Sequence, residues 1–307
     1  MTFRQATLTS RIWKYRWAYV FILPTMILYA MYTLWPIGAS WYYSLLAWSG
    51  FEASGRFIGL ENYRDLVQDP LFWNAFRNTF VFMGTAMPLR VGLALAFALA
   101  LNRGVLPAKG MFRTLLFLPV VTTAAIVGIV MKLVLDPSGG PLNAALQTFG
   151  LVEQPIRFLG LASTAMASAI GVWVWKWLGI TLIYWLAALQ TIPEELYEAA
   201  TIDGAGRIKT FRFVTLPLLT PFTIIIMLIT AVDAMNVFEL MLTLTGGGPF
   251  FATEVIEIYI YRWAFAATVP RLGYASSAAV FFGLVFSALT IAQVLTVRFL
   301  RGKGATS

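Results

Sequence analysis

Six stretches of this 307-residue chain are long and apolar enough to cross a lipid bilayer. The hydrocarbon core is about 30 Å thick, and an α-helix needs roughly 20 apolar residues to span it. An apolar run of that length is typical of a transmembrane helix. The sequence therefore predicts an all-α membrane protein with a single domain, residues 1–307, and six transmembrane helices. The predicted spans are residues 17–46, 78–102, 113–135, 163–190, 213–241 and 272–297.

The composition excludes several classes of protein. Charged residues make up 12% of the chain, against about 25% in soluble domains. The absence of cysteine and histidine removes thiolate and imidazole metal sites, Cys or Ser–His nucleophilic catalysis, and disulfides. The sequence contains no GxxxxGK[ST] phosphate loop. We therefore predict no catalytic residues, no metal and no cofactor in this chain, and any energy for its work has to come from another chain.

The distribution of Lys and Arg predicts which side of the membrane each loop occupies, because cytoplasmic loops carry an excess of these residues. With both termini inside, the inner segments hold thirteen of them and the outer segments hold six. The topology is therefore predicted to be N-in, C-in. The bases are scattered over several loops, which argues against binding to nucleic acid.

The predicted cytoplasmic loop between the fourth and fifth spans, residues 194–221, is unusually charged. Thr191 and Glu194 have the spacing of a capping box, with a proline between them. Two glycines, Gly204 and Gly206, end the pattern. We predict a helix near residues 193–204, about ten residues and roughly 15 Å long. From its shape alone, this helix either docks into a groove on a partner or is a solvated loop helix.

The amino-acid sequence of this loop decides between the two interpretations. Glu198-Ala199-Ala200, Gly204 and Leu216-Pro217 stand at the spacing of the EAA signature, and the loop resembles that of membrane-spanning subunits of ATP-binding-cassette importers. Val214 replaces the commoner isoleucine. In that family the loop helix sits in a cleft of the ATPase and transmits its closure. The resemblance therefore implies an ATPase-coupling role for Leu196, Glu198, Ala199, Ala200, Asp203 and Gly204.

The resemblance extends along nearly the whole chain. "FIGLENYRDL", "LPLLTP", "TLTGGGP" and "GYASSAAV" are similar to the maltose-type and glycerol-phosphate-type permeases of the carbohydrate-uptake group, and to the first of their two paired permeases. This implies the type I importer permease fold in the cytoplasmic (inner) membrane of a bacterium or archaeon. The implied partners are a homologous second permease, two ATPase subunits carrying ATP and Mg²⁺, and an extracytoplasmic solute-binding protein.

A polar face in the fifth span is the first candidate for contact with a transported solute. Thr230, Asp233, Asn236 and Val237 share one face of a helix that is otherwise apolar. A charge inside the membrane costs about 2.5–3.5 kcal/mol on insertion scales and marks a candidate functional site. The face resembles the part of the maltose permease that touches sugar. The alternative is that Asp233 is a paired structural acid, with Arg90 or Lys176 as its partner.

A second candidate lies in the fourth span, where Lys176 is flanked by Trp175 and Trp177. Lys176 and Trp177 are predicted to face the same path, with a purely structural lysine as the alternative. Arg90, which follows a proline in the second span, is predicted to hold helices together.

These features together predict the permease subunit of an ATP-driven importer for a sugar or related polyol. An ion-gradient-driven secondary transporter is the alternative, and a membrane scaffold without transport is a weaker one. The absence of histidine, the single acid within a span and a motif suited to an ATPase count against the secondary transporter. The sequence does not identify the solute, although a neutral saccharide is favoured over an anion such as glycerol phosphate.

Overall fold

The computed structural model describes residue 13 and residues 15–102 and 109–304. Helices dominate this part of the chain, and the all-α class is confirmed. Four of the bases used to predict the topology, Arg4, Arg11, Lys14 and Arg103, lie outside the described residues.

The elements are numbered here in chain order. They are α1 (Arg16–Tyr43), β1 (Leu46–Ala47), β2 (Arg56–Phe57), α2 (Glu61–Gln68), α3 (Pro70–Asn102), α4 (Lys109–Val121), α5 (Ala124–Val134), α6 (Pro141–Thr148), α7 (Ala162–Leu189), α8 (Glu194–Ile202), α9 (Arg207–Met235), α10 (Phe238–Leu244), α11 (Ile256–Tyr261) and α12 (Leu272–Gly304). Within the described residues, α1, α3, α7, α9 and α12 are each long and apolar enough to cross a membrane. The pair α4 and α5 would be a sixth crossing, but it is bent by 104°.

The chain folds as two compact units, and the smaller one comprises residues 1–66 and 263–281. Its β1 and β2 pair antiparallel, with Leu46 opposite Phe57. The Asn62 amide donates to the carbonyl oxygens of Ser44 and Leu46, both at 2.9 Å. A Cβ at Gly273 would lie 1.9 Å from the carbonyl oxygen of Leu46, so only glycine fits where α12 begins.

The larger unit comprises residues 67–262 and 282–307, and α7 is its central helix. The most deeply buried side chains of α7 include Trp173 and Trp185, each 1% exposed. The Trp185 indole donates to the carbonyl oxygen of Val91 on α3 at 3.0 Å. Where α7 meets α4, a Cβ at Gly179 would lie 2.3 Å from the carbonyl oxygen of Leu116. These two helices therefore touch backbone to backbone.

The third predicted span, residues 113–135, is divided in the structure. Helix α4 ends at Val121 and α5 begins at Ala124, with Thr123 in an extended conformation at φ −63° and ψ 147°. The extended backbone at Thr123 interrupts the helix and produces the 104° bend. Pro119, two residues before α4 ends, is the one local sign of the break in the sequence.

The fifth predicted span, residues 213–241, is also interrupted. Helix α9 ends at Met235, Asn236 has the non-helical angles φ −107° and ψ 70°, and α10 begins at Phe238. The chain then forms a Gly- and Pro-containing turn and α11. The short helices α2, α6, α10 and α11 lie in or beside the segments predicted to be outside the membrane.

The predicted capping box of the charged loop is wrong. The first helical residue of α8 is Glu194, its N-cap is Pro193, and no side chain caps it. The Thr191 hydroxyl instead donates backwards to the carbonyl oxygen of Ala188 at 2.7 Å. Thr191 thus completes the end of α7 rather than the start of α8. The helix itself agrees closely with its predicted bounds.

Candidate functional site

The charged loop presents a short helix that ends in a glycine turn. After Ile202, Gly204 adopts φ +75°, a conformation that glycine reaches without strain. The inner side of α8 is anchored by Ala200, which is 8% exposed, and by the Tyr197 hydroxyl, which accepts a hydrogen bond from Thr215 at 3.3 Å. The loop therefore has one face held against the described part of the chain and another face that is exposed there.

The outer face of the loop carries most of the residues predicted to couple to an ATPase. Leu196 is 41% exposed, and Glu198, Ala199, Asp203 and Gly204 are exposed as well, whereas Ala200 points inward. Two large apolar residues that sequence reasoning missed stand beside them. Ile202 is 85% exposed and Ile208 is 82% exposed. The isoleucines on the two sides of the "DGAG" turn are the sequence signal that could have identified this apolar surface. The loop combines acids with exposed apolar side chains, which suits docking to another chain better than solvation.

Inside the larger unit, Arg90 and Asp233 form an ion pair. The Arg90 Nη1 lies 3.1 Å from the Asp233 Oδ2; the arginine side chain is 0% exposed and the aspartate side chain 40%. The Arg90 Nε donates to the Thr181 hydroxyl at 2.7 Å, and its guanidinium lies 4.9 Å from the Trp173 ring centroid. Its Nη2 has no hydrogen-bond partner within the described chain. The pair thus joins a buried cation to an acid that is accessible at the surface of this unit.

The four predicted residues of the fifth span divide into two sets. Asp233 and Asn236 are accessible, and the Asn236 side-chain amide donates to the carbonyl oxygen of Val232 at 2.9 Å. Thr230 and Val237 are buried, at 0% and 2% exposure. The hydroxyl of Thr230 has no hydrogen-bond partner among the described residues. Helix α9 ends before Asn236 and Val237, and contact of these four residues with a solute stays a prediction.

Lys176 lies at the bend between α4 and α5. It is 1% exposed, and its Nζ donates to the carbonyl oxygens of Thr122 at 2.7 Å and Pro119 at 3.3 Å. Carbonyls at a helix C-terminus lack internal partners and favour a cation. The Trp177 ring centroid lies 4.1 Å from the same ammonium. These contacts favour the structural alternative for Lys176, and its predicted role in the path remains untested.

The helices α10 and α11 meet at the break after Asn236. The Glu257 carboxylate accepts a hydrogen bond from the Val237 amide at 2.9 Å. Burial raises the pKa of Glu257 to about 7, and the backbone N–H groups at the break oppose the rise. Nearby, Glu254 is paired with Arg262 at 2.7 Å. Burial raises the pKa of Glu254, while Arg262 lowers it. Sequence reasoning placed both acids in an outer loop and assigned them no role.

The bundle of apolar helices with an exposed charged loop defines the class of protein, a polytopic membrane permease. Residues 89–301 match the family described as binding-protein-dependent transport system inner membrane components, and the chain belongs to this family. It is the permease subunit of an ATP-binding-cassette importer in the inner membrane. It is not an enzyme, because the energy comes from a partner ATPase.

Curated relatives align over nearly their full length. The chain is 35% identical to a probable ABC transporter permease protein, YurN of Bacillus subtilis (strain 168), over 90% of this chain and 94% of that protein. It is 31% identical to the lactose transport system permease protein LacF of Rhizobium radiobacter, over 91% and 93%. It is 33% identical to the sn-glycerol-3-phosphate transport system permease protein UgpA of Yersinia pestis bv. Antiqua (strain Antiqua), over 90% and 92%.

Solved structures share the fold. One is a bacterial ABC transporter involved in the import of the acidic polysaccharide alginate, with a TM-score of 0.79 and 26% identity over 95% of this chain and 98% of that chain. A second is the alginate transporter in complex with an alginate pentasaccharide-bound periplasmic protein, with a TM-score of 0.78 and 26% identity over 94% and 95%. The predicted resemblance to carbohydrate-uptake importer permeases and the type I permease fold are thereby confirmed. Such a permease works with a second permease, an ATPase and a solute-binding protein.

Proposed function

We propose that this chain is one of two transmembrane subunits that import a neutral sugar or polyol. The observation that carries the proposal is the loop of helix α8, in which Glu198, Ala199 and the following Gly204 are exposed beside Ile202 and Ile208. The partner ATPase docks on this surface. Closure of the ATPase pair moves α8 and turns the path outward, the binding protein delivers the solute, and hydrolysis resets the path.

The solute meets the larger unit at the break in the fifth span. Discontinuous transmembrane helices leave unpaired backbone groups and form binding sites in many transporters. Asp233 and Asn236 supply acceptors and a donor for sugar hydroxyls there. The other predicted members, Thr230, Val237, Lys176 and Trp177, support this surface from behind, because all but Trp177 are buried and Lys176 is engaged by backbone carbonyls.

The charges around the break favour a neutral solute. The buried cation Arg90 is already balanced by Asp233, and Glu239, on α10, is an additional exposed acid. Glu239 in turn interacts with Lys176, so the two cations and two acids balance and leave no excess positive charge to attract an anionic solute. The candidate solutes to be tested include lactose and alginate, which the names of similar proteins mention. They also include the phosphorylated polyol in the name of UgpA.

The proposal is tested with the complete importer in proteoliposomes. A thermal-shift screen of the cognate binding protein against sugars, polyols and glycerol phosphate identifies the solute. Uptake of that solute is then measured with ATP inside the vesicles and with ion gradients alone. We expect ATP-dependent uptake of a neutral solute. Uptake driven by an ion gradient without the ATPase would establish the secondary transporter instead.

The N-in, C-in topology is part of this proposal, because the ATPase docks from the cytoplasm. The chain contains no cysteine, so a single introduced thiol reports its side of the membrane without background. Lys209→Cys on the charged loop is expected to react with an impermeant maleimide only after the cells are opened. Glu153→Cys, in the segment after α6, is expected to react in intact spheroplasts. The reverse pattern would overturn the topology.

A further inference from the structure

The break between α9 and α10 leaves backbone amides without their usual partners. In an α-helix each N–H donates to the carbonyl four residues earlier, and the first amides of a new helix lack such acceptors. The Asn236 amide donates to the carbonyl oxygen of Asp233 at 3.2 Å. The next amide, that of Val237, donates to the carboxylate of Glu257 at 2.9 Å, and Glu257 lies 20 residues further along the chain.

Glu257 reaches the break from a firmly held helix. The Ile256 amide donates to the Thr79 hydroxyl on α3 at 2.9 Å. The Tyr259 hydroxyl donates to the Asp69 carboxylate, and Tyr259 is 0% exposed. Because α11 is fixed to the start of α3 on both sides of Glu257, the carboxylate is a rigid support rather than a flexible surface acid.

Glu257 forms no ion pair with the described residues. Burial raises its pKa, and no charged side chain among the described residues contributes to the shift. The acids on the adjoining elements have other environments. Asp233 is paired with Arg90, and Glu239 is exposed and interacts electrostatically with Lys176. On α11 itself the ring of Tyr261 lies 5.3 Å from that of Phe238. A partly buried carboxyl without a cation among the described residues is costly, and its hydrogen bond to the Val237 amide offsets part of that cost.

We propose that Glu257 is a positioning residue of the transport path, which fixes the backbone at the break and thereby the direction in which Asn236 points. This inference rests on the proposed function, since it assumes that Asn236 meets the solute. With the Val237 amide bonded to Glu257, Asn236 is held at its non-helical angles, and its side chain is displayed toward the accessible surface. Without this bond, α9 and α10 are free to join or to swing apart, and Asn236 loses its orientation.

The test uses the assembled importer in lipid nanodiscs and proteoliposomes, with Glu257→Leu, Glu257→Gln and Glu153→Leu. Leucine keeps the approximate shape of glutamate and removes the acceptor, whereas glutamine keeps one acceptor oxygen. Glu153→Leu is the matched control, because it makes the same change at an exposed residue of another segment. Hydrogen–deuterium exchange of peptides covering residues 236–242 reports on the break, and saturable uptake gives the half-saturation concentration and the maximal rate separately.

We expect Glu257→Leu to speed exchange at these amides at least tenfold and to raise the half-saturation concentration at least fivefold, with basal ATP hydrolysis within twofold of the wild type. Glu257→Gln recovers most of both effects, and Glu153→Leu shows neither. A Glu257→Leu importer with unchanged exchange, or with faster exchange but an unchanged half-saturation concentration, overturns the inference. A fall in the maximal rate or in assembly alone indicates a merely structural residue and also overturns it. Failure of the wild type to import any solute would defeat the proposed function instead, and the exchange measurement would still report on the hydrogen bond of the Val237 amide.

Discussion

The guanidinium of Arg90 lies 3.1 Å from the carboxylate of Asp233, and these two residues are 143 positions apart in the chain. They join α3 to α9 within the apolar part of the larger unit. Arg90 is fully buried, while the Asp233 side chain is 40% exposed. Both alternatives for Asp233 are therefore compatible, because it pairs with a cation through one oxygen and remains accessible to a solute.

Removal of the acid from this pair is expected to destabilise the importer. Asp233→Leu leaves a buried guanidinium without a counter-ion, which costs about 3 kcal/mol, the lower end for a broken buried pair because Asp233 is partly hydrated. The double variant Arg90→Met/Asp233→Leu removes both charges and is expected to recover much of that loss. Unfolding of the assembled complex in detergent measures both the loss of stability and its recovery. A double variant less stable than Asp233→Leu would show that the pair is not the source of the effect.

Asn236→Ala is expected to raise the half-saturation concentration for uptake about tenfold. The amide both donates and accepts, and an unmet hydrogen bond costs about 1–3 kcal/mol. Basal ATP hydrolysis and assembly are expected to persist, because α8 is untouched. Ile229→Ala is the control, since this side chain is apolar and 41% exposed. An unchanged half-saturation concentration in Asn236→Ala would remove Asn236 from the path.

The charged loop is expected to lose coupling when its helix end or its charge is changed. Gly204 has φ +75°, and proline is fixed near −65°, so Gly204→Pro distorts the turn after α8. Glu198→Lys reverses a charge on the exposed face. We expect both variants to insert and assemble but to lose solute-stimulated ATP hydrolysis.

The control for the loop is Glu153→Lys, which makes the same charge reversal at an exposed residue of another segment and is expected to retain stimulation. Normal transport by both loop variants would contradict the coupling role. The purified chain without its ATPase is expected to show no ATP hydrolysis, because its sequence has no phosphate loop.

Lys176→Met is expected to lower stability without changing the half-saturation concentration. Methionine keeps the apolar stem but leaves the carbonyls of Thr122 and Pro119 without their donor, at a cost of about 1–3 kcal/mol. Unfolding of the complex and uptake kinetics separate the two roles. A higher half-saturation concentration with normal stability would return Lys176 to the solute path.

Glu257 is expected to make stability depend on pH. Its pKa in the folded protein is raised from 4.5 to about 7, so the folded state binds a proton more tightly than the unfolded state. Its contribution to stability is complete below pH 4.5 and is lost as the pH rises to about 7. Relative to Glu257→Gln, which does not titrate, the wild type is expected to lose melting temperature over this interval. If the melting temperatures of the wild type and Glu257→Gln changed in parallel with pH, the raised pKa would be contradicted.

The sequence predicted the class of the fold and the charged loop because both depend on contiguous residues. Apolar length is imposed by the bilayer, and the α8 helix has its own start and glycine end. The breaks at Thr123 and Asn236 were missed because these are small uncharged residues within apolar runs. The ion pair of Arg90 with Asp233 was only one of two alternatives, since the choice depends on how distant helices pack. The role of Glu257 depends on a turn that brings α11 back to the break, which no local pattern reports.

The backbone contact at Gly179 has a mechanical consequence. Because no side chain separates α7 from α4 there, the two helices cannot slide past each other without losing their fit. Helix α7 is also joined to α8 by only a short connection, from Leu189 to Glu194. It acts as a lever about 42 Å long at 1.5 Å per residue, with the ATPase-facing loop at one end and Lys176 and Thr181 along its length. We therefore expect α4 and the guanidinium of Arg90 to move with α7 as one rigid body when the loop is displaced.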